Sequence, residues 1–384
     1  MVEKKPDAKK DPDLASEILA KIEESKDVEY PNVTIRGDLD LSGLDLPKDD
    51  DGRCIVDIPI KITNSKILGN VKFGNAVFQK LINFKGTDFS NANFTNDKFE
   101  AGAGFKDVEF GSDAYFRKVT FKGDSDFEGA HFGGDAHFGE AQFEGSAKYN
   151  WATFSGDAHF PKAQFHKTLD LNKIKFNKLY ISWDAIKDKL RYYDSNITDV
   201  HNNDRIDGTA YLALIKNFKA IEQFDDADDC YYQYRKASQA KKKWFDKKRF
   251  NWSKLLDWIG FASCGYGVKV WRPIVCAFGS VLGFTLLYKL LPQSRGGIAE
   301  SGPSTVTMEA VNNSTLLFTF SSGDGAVSPS WGECLYFSFT ALTGGTPDGL
   351  HPVGLCKYAV MVEGVLGYLF LALFVVVLAR KIIR

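Results

Sequence analysis

The chain has 384 residues, and its 48 Lys and Arg stand against 49 Asp and Glu, a net charge of −1. That length accommodates more than one domain, and that balance excludes a polyanionic mimic or a bulk nucleic-acid binder. Phe occurs 31 times against 3 Met, and the 6 Cys show no C-x-x-C pair, so an internal repeat is expected and a zinc or disulfide scaffold is not.

Residues 1–32 are read as a charged tail, disordered up to Asp11, followed by a helix starting at Asp13-Leu-Ala-Ser. The segment Met1 to Lys26 is too charged for a signal peptide. Leu14, Ile18 and Ile22 lie on one helical face, suited to cap whatever follows.

From residue 33 to 181 the Phe bias becomes a period. Anchors recur every eleven residues at Phe105, Phe116, Phe127, Phe138, Tyr149, Phe160 and Leu171, and a second series interleaves from Phe110 to Phe176. A small residue such as Ala130, Ala136, Ala141 or Ala158 stands two positions before most anchors. No helix has a period of five, and a plain strand alternates in twos without a break. Large anchor, small partner and turn together predict a β-solenoid. These units resemble the pentapeptide-repeat family in a Phe-centred variant with alternating five- and six-residue units. The resemblance implies a right-handed, four-sided parallel β-helix of about 22 residues per coil. His137 and His159 then stack on adjacent coils as solvated side chains, and Asp124, Asp135 and Asp157 serve corner turns by bonding their local backbone.

Residues 182–257 lose the period and are read as a helical linker. Leu214, Phe218 and Ile221 form one stripe, Asp225 to Asp229 are expected to break it, and a Tyr-rich helix follows. Charge then turns basic, with Lys247, Lys248 and Arg249 beside Trp252, Leu255, Leu256 and Ile259. Basic residues next to a Trp-bearing apolar stripe predict a helix at an anionic lipid surface, in preference to nucleic-acid binding.

In residues 258–384 two apolar runs, 273–291 and 358–379, are long enough to span a bilayer. Bases flank their outer ends rather than the loop 292–330, which predicts both termini in the cytoplasm and a plasma-membrane location. Between them lies a third apolar piece, 331–342, too short to span, then the Gly-rich 343–348. Irregular backbone at membrane depth must line a water-filled path.

FSFTALTGGTPDGLHPVG followed by EGVLGYLFLALFVVVLAR resembles the two-transmembrane potassium-channel superfamily over residues 270–384. The resemblance implies a homotetramer with a re-entrant pore helix and a selectivity filter at Thr343, Gly344, Gly345, Thr346, Pro347 and Asp348. Glu363, Gly364 and Gly367 match an inner-helix EGxxG, with the acid as a brace behind the filter and the glycines as a hinge. The family filter is Thr-Val-Gly-Tyr-Gly-Asp. Here Pro347 fixes φ where the family needs Gly, Thr346 lacks the packing ring, and Gly344 with Gly345 adds freedom. A weakly selective pore for monovalent cations follows. Glu333 and His351 are expected at the outer mouth, and Cys334 and Cys356 bracket the filter where a disulfide could form.

The fold class is therefore multi-domain: a cytoplasmic β-helix, an α-helical linker and an α-helical pore domain. No phosphate loop, nucleophile–base pair, metal cluster or cofactor motif appears, so no enzyme is expected. The alternative is a membrane-anchored scaffold whose solenoid binds a protein partner while a non-conducting pore-like domain oligomerises.

Overall fold

The computed structural model describes residues 14–190, 208–246, 249–290, 298–300, 305–312, 315–321, 329–345, 350–352 and 354–383. The tail before Asp11 lies outside them. The chain divides into two compact units, Met1–Ser238 and Gln239–Arg384.

The first unit is a β-solenoid of about 6 turns closed at each end by helix. At its start α1 (Leu14–Glu23) turns Ala15, Ile18 and Ile22 into the core. Coils then pair in parallel. Phe99 pairs with Phe121, Phe121 with Phe143 and Phe143 with Phe165, so one coil is 22 residues and the eleven-residue period is half a coil. Four such ladders run along the axis. The others pass through Ala103, Ser125 and Ala147, through Phe110, Phe132 and Phe154, and through Ala114, Ala136 and Ala158. The first coil is longer, since Val28 pairs with Ile60. Its extra residues form a loop in which the Arg53 guanidinium holds Asp49 and Asp51 at 2.8 and 2.6 Å.

Stacked coils bring identical side chains into register, and the core follows from that. Phe110, Phe132 and Phe154 stack with ring centroids 4.8 and 4.5 Å apart, and Phe116, Phe138 and Phe160 at 4.8 and 4.7 Å. Neighbouring columns meet edge-to-face, as Phe116 does with Phe127 at 89°. The centroid spacing is the inter-strand repeat, about 4.8 Å, so backbone bonding and ring contact are satisfied together. Each fully buried Phe contributes about 2–3 kcal/mol, and the small partners Ala130, Ala141 and Ala152 leave room for the rings.

The acidic residues correct an expectation. Asp113, Asp124 and Asp135 bond backbone outside their own turns. Their Oδ1 atoms accept the N–H of Asp135, Ser146 and Asp157, one coil on, at 2.9, 2.9 and 2.8 Å. Asp157 Oδ1 accepts from Asn177 Nδ2. At these three bends a carboxylate, in place of a backbone carbonyl, satisfies an N–H one coil on. Local Asx turns occur elsewhere, at Asn83, Asp126 and Asp170.

At the far end, α2 (Trp183–Ile186), α3 (Gly208–Ala220) and α4 (Phe224–Lys241) follow the last coil. Trp183 is buried against the edges of Tyr211 and Phe218, and its N–H donates to Asp226 Oδ2 at 3.1 Å. Leu214 and Phe218 face inward. This part of the expected linker is thus a second cap. The break between α3 and α4 also moves: it falls at Ile221–Gln223, with Glu222 left-handed at φ 62°. Asp225 and Asp226 instead occupy the first turn of α4, where carboxylates favour the helix N-terminus.

In the second unit α5 (Trp252–Cys264) is capped by Asn251, whose side chain accepts from Lys254 N, and ends at left-handed Gly265. Then come α6 (Trp271–Leu290), α7 (Trp331–Leu342) and α8 (Cys356–Ile382), which pack on one another. α6 and α8, of 20 and 27 residues, are long and apolar enough to cross a membrane. The expected loop 292–330 holds a hairpin absent from the sequence reading, Thr305–Asn312 against Thr315–Ser321, and Ile298–Glu300 pairs with Leu350–Pro352.

Candidate functional site

The three packed helices meet at Glu363. Its side chain is fully buried among apolar helices, where an ionisable group persists only if its oxygens are bonded. Tyr288 on α6 donates its hydroxyl to Glu363 Oε2 at 2.6 Å. Ser338 on α7 bonds Oε1 and lies 3.0 Å from the Val281 carbonyl. One carboxyl of α8 thereby joins both neighbours at one level.

The glycines expected as a hinge stand on the same face of α8. A Cβ on Gly367 would fall 1.8 Å from the Leu342 carbonyl oxygen, whereas one on Gly364 would be 3.6 Å from Ala341 O. Close approach of α8 to the end of α7 requires Gly367 and merely admits Gly364.

Thr343, Gly344 and Gly345 close α7. Gly344 N donates to Ala341 O at 3.1 Å and Gly345 N to Thr340 O at 2.8 Å, the double bonding of a Schellman cap, with Gly344 left-handed at φ 80°. Gly344 therefore serves a fixed geometry, which corrects the expectation that it adds only freedom. Its back is covered by Tyr368, whose hydroxyl would lie 2.5 Å from a Cβ there. Thr343 Oγ1 bonds the Thr340 and Phe339 carbonyls. Thr346, Pro347 and Asp348 lie outside the described residues.

Glu333 has a task that sequence reasoning missed. Ser330 Oγ accepts from Glu333 N at 3.2 Å, and Glu333 Oε2 accepts from Ser330 N at 2.5 Å. The signal was legible, because Ser330-x-x-Glu333 is a capping box. His351 sits in the short strand paired with Ala299. Cys334 and Cys356 are free thiols, both buried in one cluster with Tyr288, Ile298 and Phe337.

On α5, Trp252, Leu256 and Ile259 form an exposed stripe, with Trp252 at 68% exposure. Lys254 lies over the Trp244 ring, and Lys242 pairs with Asp257 at 2.5 Å. Lys247, Lys248 and the Arg249 side chain lie outside the described residues. Between α6, α7 and α8 an apolar cavity of about 350 Å³ is lined by Phe278, Phe339, Tyr368 and Phe374.

Among known proteins, a family model described as pentapeptide repeats (9 copies) matches residues 98–141 and 127–174. That is the regular part of the solenoid, and its pentapeptide repeats and β-solenoid fold agree with the pairing above. No curated protein and no solved structure matches the chain.

Proposed function

We propose that the chain is the subunit of an oligomeric membrane ion pore, weakly selective among monovalent cations, with its solenoid as a cytoplasmic regulatory or assembly domain. The observation that carries this reading is the Glu363 cluster. Tyr288 and Ser338 bind an otherwise costly carboxyl between two membrane-length helices and a helix of 12 residues, too short to span. A buried polar tie at the end of a short apolar helix, just before a Gly-rich segment, suits a re-entrant element beside a water-filled path.

In this reading Thr343 to Asp348 line the path, Glu333 and His351 stand toward the outer mouth, and Gly364 with Gly367 lets α8 move against α7. The coil is right-handed and four-sided, the assembly is a homotetramer, and both termini face the cytoplasm at the plasma membrane. The stripe of Trp252, Leu256 and Ile259 lies on anionic lipid with Lys247, Lys248 and Arg249. Cys334 and Cys356 share one cluster from which a bridge could form. The protein is no enzyme and uses neither cofactor nor nucleic acid.

The test is reconstitution into planar bilayers with sodium on one side and potassium on the other. Unitary currents reversing near zero support the reading. Absence of current from a correctly assembled oligomer favours the membrane-anchored scaffold, with a protein partner on the solenoid.

A further inference from the structure

One corner of the solenoid opens into a groove of about 350 Å³. Its origin is a single column of residues, each following an anchor ring: Thr95, Arg117, Gly139 and Pro161. Gly139 carries no side chain and Pro161 a compact one, so two successive coils leave a hollow beside Arg117. The next column is the left-handed corner, with Lys118, Glu140 and Lys162 at φ 57°, 60° and 58°. On the other side stand His137 and His159, both partly exposed, whose rings stack at 5.2 Å.

We propose that this groove binds a small polyanion carrying phosphoryl groups. Two permanent cations, Arg117 and Lys162, line it against one carboxylate, Glu140. Among the described residues none of these three has an ion-pair partner. Arg117 offers a planar fork of donors, which suits phosphoryl oxygens, and the two imidazole edges add donors at one-coil spacing. Two coils span about 10 Å, the reach of two or three linked phosphoryl groups. Acidic groups also stand beside the ring column. Tyr115 and Tyr180 continue the stack at its ends. Asp113 and Asp135 give Oδ1 to the backbone, and Asp135 Oδ2 lies 3.9 Å from His159 Nε2. The inference is independent of whether the helical unit conducts ions.

The test uses the full chain in detergent, inorganic triphosphate and citrate as probes, and carbethoxylation of histidines by diethyl pyrocarbonate read by mass spectrometry. Triphosphate should slow modification of His137 and His159 by about tenfold while His131 and His166, on the same solenoid, react as before. The variant Arg117→Thr/Lys162→Asn borrows the residues this chain uses at Thr95 and Asn96, so its corner keeps a native pattern, and it should lose the protection. Three results overturn the proposal: equal rates at all four histidines with triphosphate, protection that persists in the double variant, or equal protection by citrate, which would remove the phosphoryl assignment.

Discussion

Asn217 bonds both backbone polar groups of Leu179. Its Oδ1 accepts the Leu179 N–H at 2.9 Å, and its Nδ2 donates to the Leu179 carbonyl at 2.7 Å. The primary amide presents the donor and acceptor that another coil would supply, at a buried position on α3. An open edge of a parallel sheet is thereby ended inside the protein instead of being offered to a neighbour. Asn217→Ala leaves two buried backbone groups unpaired and should cost about 2–4 kcal/mol. Chemical denaturation followed by the solenoid's circular dichroism checks it, and a loss below about 0.5 kcal/mol would count against the capping role.

Tyr149 occupies a ring column in which its neighbour is Phe127, stacked at 4.9 Å. Among the described residues its buried hydroxyl has no hydrogen-bond partner, and burial raises its pKa well above the phenol range. Tyr149→Phe keeps the ring and removes the stranded group. The expected outcome is stabilisation by about 1 kcal/mol, read as a higher denaturation midpoint with unchanged slope.

Asp97 stands at the small-residue position filled elsewhere by Val108, Val119 and Ala130, and is fully buried. Its Oδ1 accepts from Ala76 N at 2.9 Å, while among the described residues Oδ2 has no partner. Desolvation raises its pKa well above the carboxylate range, with the Ala76 bond and the Arg53 charge opposing. A carboxyl held protonated in the fold stabilises it fully below the unfolded pKa. That contribution is lost as pH rises toward the folded pKa. Asp97→Asn has no such titration, so its stability relative to the native chain should grow by up to about 1.4 kcal/mol per pH unit across this window. Parallel denaturation curves from pH 4 upward measure the slope, and a difference that does not vary with pH would refute the assignment.

Removing the carboxyl with Glu363→Ala leaves the Tyr288 hydroxyl without its acceptor and detaches α7 from α8. A loss of about 1–3 kcal/mol is expected, seen as a lower melting temperature and less assembled oligomer in detergent. Glu363→Gln retains an acceptor for Tyr288 and should lie between the two. Ser338→Ala should cost less than Glu363→Ala, since Ser338 shares its bonding with the Val281 carbonyl.

The two glycines of α8 should respond oppositely to one methyl group. Gly367→Ala drives a Cβ into the Leu342 carbonyl, and so should separate α8 from α7 and abolish assembly. Gly364→Ala meets Ala341 O at ordinary contact distance and gains helix propensity of up to about 1 kcal/mol. Size-exclusion profiles of the two variants in one detergent distinguish them. Equal behaviour would mean that neither glycine is there for packing.

The sequence alone determined what repeats. An eleven-residue spacing of rings with small partners admits a stacked coil and little else, because each position must suit its neighbour one coil away. It also determined α6 and α8, whose length and apolarity are properties of the chain itself, and the helix of Ile18 and Ile22. Tertiary structure decided whatever depends on residues far apart in the chain. Asp124, Asp135 and Asp157 were expected to bond within their turns, yet Asp124 and Asp135 serve the backbone 22 residues on and Asp157 the Asn177 side chain 20 residues on, distances that turn chemistry cannot sense. Asn217 gives no local sign that it ends a sheet 38 positions earlier. Glu363 finds Tyr288 across 75 residues, and Gly344 is needed only because the end of α7 demands a left-handed residue with Tyr368 behind it. Spacing encodes local geometry, whereas which polar group satisfies which buried partner is fixed only once helices and coils are brought together.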